Sequence, residues 1–170
     1  MSDNCCSKKS AGSELCETSS SSVQSKSESD NTCPKCGQKG KLVQGQTVKA
    51  LLSTSLRQVQ DTDYFFCRTQ SCTVVYFSSE GKSVFTTSQL RERVYQKEPT
   101  ADDVLVCYCF KHTVADIKNA TPESHVQIIN DIENGIQANQ CACDIRNPQG
   151  YCCLGNVRIL IKQSETNSVK

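Results

Sequence analysis

Short runs of β-branched and aromatic residues, separated by polar and glycine-containing stretches, occupy the middle of the chain. The runs at 64–66, 74–77 and 83–86 predict three short β-strands, because these residue types are enriched in strands. Before them, aliphatic residues recur at helical spacing and predict a short helix over about 47–57. This part of the chain is therefore predicted to be rich in β-structure.

The later part of the chain has a helical pattern instead. Thr113 and Asp116 have the spacing of a capping box, and Thr121 precedes a proline, as is typical of a helix N-terminus. These signals and the apolar spacing predict helices over about 122–138 and 154–162. The apolar stripe of the first helix comprises Val126, Ile129, Ile132 and Ile136. The predicted fold class is α+β, with a small β-rich module followed by a small helical module.

Composition divides the chain further. Residues 1–31 are rich in serine and poor in aliphatic side chains, which predicts a disordered tail, because little apolar burial offsets the entropy cost of ordering it. Residues 32–98 carry 10 Lys and Arg against 5 Asp and Glu, and a shift to slightly acidic composition follows Pro99. We expect a second module at 99–163 and a short tail at 164–170.

Charge and hydropathy exclude several classes of function. The net charge of +1 gives no electrostatic argument for nucleic-acid binding. The longest apolar run, 104–110, is too short to span a bilayer, and no apolar signal segment follows Met1. These features predict a cytoplasmic protein without membrane insertion. Because disulfides are disfavoured in the cytosol, the 13 cysteines point to metal binding.

The first cysteine set has the spacing of a zinc site. It consists of Cys33, Cys36, Cys67 and Cys72. Pro34 and Gly37 favour the tight turn that lets a CxxC pair bind one ion. Four thiolates complete a tetrahedral site, so structural Zn²⁺ in a zinc-ribbon-like module is predicted. Ordinary reduced thiols and a redox dithiol remain alternatives, although the βαβ context typical of a redox CxxC is absent.

The second cysteine set is larger than one cluster requires. It consists of Cys107, Cys109, Cys141, Cys143, Cys152 and Cys153. A CxC pair, a cysteine after a helix and a cysteine that starts the next helix resemble the bacterioferritin-associated-ferredoxin-like (BFD-like) [2Fe-2S] domain. That resemblance implies Cys107, Cys109 and Cys141 as cluster ligands. Cys153 is the favoured fourth ligand, with Cys143 and Cys152 as alternates, because an inserted loop at 144–151 delays the last cysteines.

Taken together, the two sets have the order found in a known family. The motifs are Cys33-Pro-Lys-Cys36, Phe66-Cys67 with Cys72, Cys107-Tyr-Cys109, and Cys141-Ala-Cys143 followed by Cys152-Cys153. Over about residues 32–160 the chain resembles the N-terminal zinc and [2Fe-2S] half of archaeal CopZ-type copper chaperones. In that family a copper-carrying domain with a Met-x-Cys-x-x-Cys loop follows. This sequence contains no such loop, so copper transfer through it is not expected.

The resemblance implies an iron–sulfur and zinc protein that transfers single electrons in copper homeostasis. A redox or metal-trafficking protein and copper ions are the implied partners. The alternative is a scaffold or carrier with a structural or transferable cluster. No catalytic motif indicates an enzyme, although reduction of Cu(II) to Cu(I) is a non-enzymatic step that such a centre could support. Cys5, Cys6 and Cys16 in the tail could bind a soft ion such as Cu(I), or could have no role.

Overall fold

The structure, a computed structural model, describes residues 31–167 and has a mixed α+β fold. The N-terminal half (residues 32–98) contains a four-stranded antiparallel sheet in which each strand pairs with the next along the chain. Its strands are β1 (Lys41–Val43), β2 (Tyr64–Phe66), β3 (Val74–Ser78) and β4 (Val84–Thr86). The three predicted strands are confirmed as β2, β3 and β4, whereas β1 was not predicted.

The helix predicted near residue 47 is real but shorter than expected. Helix α1 is Gly45–Leu51, and its last turn is followed by extended backbone at Leu52. Leu52 forms a β-bridge with Leu90, and the backbone N–H of Arg91 donates to the carbonyl of Leu51 at 2.9 Å. The chain after Leu51 is therefore held by a distant segment, and the helical spacing beyond it is continued only by a short 3₁₀ helix.

The C-terminal half (residues 99–167) is not purely helical, so that expectation was wrong. Strands β5 (Leu105–Cys107) and β6 (His112–Thr113) form an antiparallel hairpin that places the first cysteines of this half. Four helices follow: α2 (Val114–Lys118), α3 (Pro122–Gln137), α4 (Cys143–Arg146) and α5 (Leu154–Asn167). None of these described helices is long and apolar enough to cross a lipid bilayer.

Helix starts were predicted well in this half, but the buried face of α3 was not. Thr113 and Asp116 form the capping box of α2, and the side chain of Thr121 caps α3. Of the predicted apolar stripe, Ile132 is buried, but Val126 is 59% exposed. Ile136 is exposed as well, and Gly135 faces the interior instead. The prediction of four packed positions was therefore wrong for the two ends of the stripe.

The two halves share an interface, in which α1 and the sheet lie against α4 and the loop that follows it. The hydroxyl of Thr47 donates to the carbonyl of Asp144 at 2.5 Å, and Tyr76 Oη donates to the carbonyl of Pro148 at 2.7 Å. The Cβ position of Gly150 lies 3.2 Å from Val43, so this loop lies directly against the first half. The loop that separates the last cysteines is thus supported by the sheet.

Candidate metal centres

The four cysteines of the first half converge at one point. The Sγ atoms of Cys33, Cys36, Cys67 and Cys72, which we call the first sulfur group, all lie within 4.8 Å of one another. The closest pairs are Cys33 with Cys72 at 4.0 Å and Cys36 with Cys67 at 3.6 Å. The two pairs are separated by 30 residues in sequence, so the fold of the sheet brings them together.

Local backbone geometry presents these sulfur atoms. Gly37 has a φ of 69° and its N–H donates to the carbonyl of Cys33 at 2.9 Å, which closes the tight turn of the CxxC segment. The N–H of Cys67 donates to Val75 on β3 at 2.9 Å, so the end of the β2–β3 ladder fixes the position of this cysteine. Cys72 is held by a second turn, in which its N–H donates to the carbonyl of Thr69.

The electrostatics of the first sulfur group suit a bound cation. Burial raises the pKa of the Cys33 thiol to about 12, whereas a hydrogen bond between the Cys36 sulfur and the Thr69 hydroxyl lowers the pKa of Cys36 to about 6. Burial also raises the pKa of Cys72. Buried thiolates this close together need a positive charge between them, and four thiolate donors fit the tetrahedral preference of Zn²⁺.

The cysteines of the second half form a group with a different shape. The Sγ atoms of Cys109, Cys141 and Cys143 lie within 4.8 Å of one another, with Cys141–Cys143 at 3.3 Å and Cys109–Cys143 at 3.7 Å. Interactions with the side chains of Cys107 and Cys143 raise the pKa of Cys153, so these thiols adjoin the same group. These five cysteines are called the second sulfur group, and Cys143 links its two parts.

Each member of the second sulfur group lies at the end of an element or in a turn. Cys107 ends β5, Cys109 follows in the turn before β6, Cys143 begins α4, and Cys153 precedes α5. The backbone N–H of Ala142 donates to Cys109 Sγ at 3.3 Å. Such N–H donors stabilise negative charge on sulfur. The local backbone therefore favours thiolates here.

The pKa values of the closely spaced thiols in the second sulfur group are shifted in both directions. A hydrogen bond from Cys153 lowers the pKa of Cys143 to about 5, and the same kind of bond lowers the pKa of Cys107. Burial raises the pKa of Cys109 to about 12 and raises that of Cys141. Full ionisation of this group would require compensating positive charge. At least four mostly buried thiols on short loops fit the ligand set of an iron–sulfur cluster.

The two alternate ligands, Cys143 and Cys152, differ in position and in burial. Cys143 joins the second sulfur group, whereas Cys152 is exposed and belongs to neither group among the described residues. The spacing alone could not show this, because both cysteines lie near a favoured ligand in sequence. His112 Nε2 lies 2.8 Å from a carboxylate oxygen of Asp131, and His112 belongs to neither group of clustered ligand atoms among the described residues. Cys5, Cys6 and Cys16 lie outside the described residues.

The geometry is matched by known proteins. A family model described as a zinc binding domain of the CopZ type matches residues 30–91. The X-ray structure of the N-terminal domain of Archaeoglobus fulgidus CopZ superposes with a TM-score of 0.61 at 30% identity. This match covers 76% of the chain and 96% of that domain. The chain belongs to the family of the CopZ N-terminal domain.

The sequence match to full-length CopZ is partial. The copper chaperone CopZ of Archaeoglobus fulgidus is 31% identical over 121 residues, which is 71% of the present chain. The chain spans only 57% of that relative's length. Membership of the family of the CopZ N-terminal domain therefore supports a metal-binding role, with zinc in the first half.

Proposed function

We propose that the protein is a one-electron transfer protein of copper homeostasis that carries structural zinc and a [2Fe-2S] cluster. The first sulfur group is the zinc site, in a zinc-ribbon-like module. Cys107, Cys109, Cys141 and Cys153 are the cluster ligands, and their module is BFD-like. The observation that carries the proposal is that two separate groups of buried thiols occur in one chain similar to a copper chaperone domain.

The two sulfur groups differ in the arrangement of their sulfur atoms, and each arrangement suits the metal centre proposed for it. The first sulfur group has four members, all within 4.8 Å, so a single ion bound there would have no open position. The second sulfur group is spread over two linked parts, with Cys107 and Cys153 in one and Cys109 and Cys141 in the other. Two pairs of thiolates are what a centre with two iron atoms needs.

When bound, a [2Fe-2S] centre supplies reversible exchange of one electron. Reduction of Cu(II) to Cu(I) consumes one electron, so a loaded and reduced protein has the right stoichiometry for this step. The electron comes from a redox protein partner. The residues of this chain hold the centre, exclude most of the solvent around Cys107 and Cys153, and leave Cys109 and Cys141 partly accessible at the surface. The accessible side is the expected route for electrons, because transfer requires close approach.

The experiment begins with metal analysis and electron paramagnetic resonance (EPR) of anaerobically prepared protein. We expect one zinc per chain, two irons with two sulfides, and an EPR signal after reduction. Reduced protein is then mixed with Cu(II) and a Cu(I)-specific chelator. We expect one Cu(I) per cluster, with a matching loss of the EPR signal of the reduced cluster. The metal-free protein is the control, because free thiols also reduce Cu(II).

The carrier alternative gives different results in the same experiment. A cluster that is lost on reduction, or that passes intact to a metal-free ferredoxin, would contradict the electron-transfer role. A preparation without iron, made anaerobically with iron and sulfide supplied, would overturn the cluster assignment itself.

A further inference from the structure

The second sulfur group contains one thiol more than a [2Fe-2S] cluster needs. Cys143 is 6% exposed and has the most central position, since its sulfur contacts Cys109, Cys141 and Cys153. Cys143 is also part of the hydrophobic core of this half, but its sulfur lies 3.7 Å from that of Cys109 and 3.3 Å from that of Cys141. The question is which neighbouring cysteine Cys143 would replace as a cluster ligand.

Cys141 is the neighbour that Cys143 matches best. The two residues are separated only by Ala142, whose N–H donates to Cys109 Sγ. Both sulfur atoms therefore lie beside the same partner, with all three within 4.8 Å. Cys107 lies at the end of β5, outside the group of three sulfur atoms that contains Cys143.

We propose that Cys143 is a reserve ligand, which replaces Cys141 beside Cys109 in a second, more buried ligand set. This proposal rests on the cluster assigned under the proposed function. One set contains Cys141, and the other contains Cys143, while Cys107, Cys109 and Cys153 are common to both. The exchange breaks one iron–thiolate bond and forms another, and the proton released by the incoming thiol is taken up by the outgoing thiolate.

The two ligand sets differ in solvent exposure. Cys141 is half-buried in the loop before α4, whereas Cys143 is the first residue of α4 and is buried. The position of α4 is set by α1 of the other half, through the bond from Thr47 to Asp144. Because solvent exposure tunes the potential and accessibility of a cluster, the exchange would give the same site an exposed and a shielded state.

The test uses alanine variants, because serine oxygen can itself bind iron. The set comprises Cys141→Ala, Cys143→Ala, the double variant Cys141→Ala/Cys143→Ala, Cys107→Ala, and the control Cys152→Ala. Each full-length protein is reconstituted anaerobically, and iron, sulfide, the EPR spectrum of the reduced state and zinc content are measured. Zinc content and far-ultraviolet circular dichroism show whether each variant has folded.

Both single variants are expected to keep most of the wild-type iron, with EPR spectra that differ from each other. The double variant should lose iron at least about tenfold, comparable to the loss in Cys107→Ala, because no third substitute lies nearby. Cys152→Ala should behave as wild type. A folded Cys141→Ala protein as empty as Cys107→Ala would overturn the reserve role, as would a double variant that keeps its iron.

Failure of the two proposals is distinguishable. If wild-type protein takes up no iron, the cluster assignment fails. If wild-type protein is loaded and the folded Cys141→Ala variant is empty, the cluster assignment stands and the reserve ligand is rejected.

Discussion

Tyr76 Oη donates a 2.7 Å hydrogen bond to the carbonyl oxygen of Pro148, across the interface between the two halves. Tyr76 is fully buried on β3, and burial raises its pKa, so the phenol remains a donor at physiological pH. Pro148 lies in the loop between Cys143 and Cys153. A residue of the sheet thus supports the loop that positions two members of the second sulfur group.

Removing this bond should loosen the second sulfur group. Tyr76→Phe leaves a buried carbonyl without its donor, which costs about 1–3 kcal/mol in the free energy of unfolding. We expect faster release of iron to a chelator with unchanged zinc content, measured by absorption and metal analysis.

Tyr64→Phe is a matched control for this prediction. Tyr64 is also a buried phenol of the sheet, but its Oη accepts from the N–H of Gln60 within the first half. It should cost similar stability without faster iron release. Equal release rates in the two variants would contradict the role assigned to Tyr76.

Loss of the first sulfur group should destabilise more than its own half. Cys33→Ala removes one of four clustered thiols, and zinc binding in small domains contributes on the order of 10 kcal/mol to folding. We expect loss of zinc, unfolding of the N-terminal half and weaker iron retention, because the sheet supports the 144–151 loop. Thermal unfolding and zinc analysis check this. A variant that keeps the wild-type melting temperature would show that zinc is not structural.

Loss of a second-group cysteine should be more selective. Cys107→Ala removes a fully buried thiol that lies outside the sulfur triplet of Cys109, Cys141 and Cys143. The visible absorption of the cluster should be lost while zinc content stays at the wild-type level, because the first sulfur group lies in the other half. Absorption spectra and metal analysis of the anaerobic protein measure both. Unchanged absorption would reject Cys107 as a ligand.

A glycine pair tests the packing behind the second sulfur group. A Cβ at Gly135 would overlap the ring of Phe110, the residue after Cys109, whereas a Cβ at Gly155 in α5 meets nothing within 4 Å. Gly→Ala in a helix normally stabilises by about 1 kcal/mol. Gly155→Ala should therefore be neutral or stabilising. Gly135→Ala should instead lower the free energy of unfolding by about 1–3 kcal/mol, because the added Cβ overpacks against the ring of Phe110.

Chemical denaturation of the two glycine variants provides the measurement. A Gly135→Ala protein as stable as Gly155→Ala would mean that the Phe110 ring moves aside at no cost. Iron content of the same samples shows whether displacement of Phe110 also disturbs Cys109.

Sequence patterns correctly predicted those helix ends that depend only on residues a few positions away along the chain. Thr113 and Thr121 were identified as helix caps because a cap needs only a side chain and an amide three positions away. The end of α1 was missed because Leu52 pairs with Leu90, and no signal within the helix reports a partner that far along the chain.

The sequence by itself determined the number and spacing of the thiols, the zinc-type CxxC turn and the helix starts, since these depend on neighbours along the chain. Only the tertiary structure decided that Cys143 joins the second sulfur group while Cys152 faces solvent. The distances between sulfur atoms depend on the tertiary fold. Whether Cys143 or Cys152 is buried depends on how α4 and the loop after it pack against the sheet. Contacts such as that between Tyr76 and Pro148 set that position, and they join residues that local sequence patterns cannot relate.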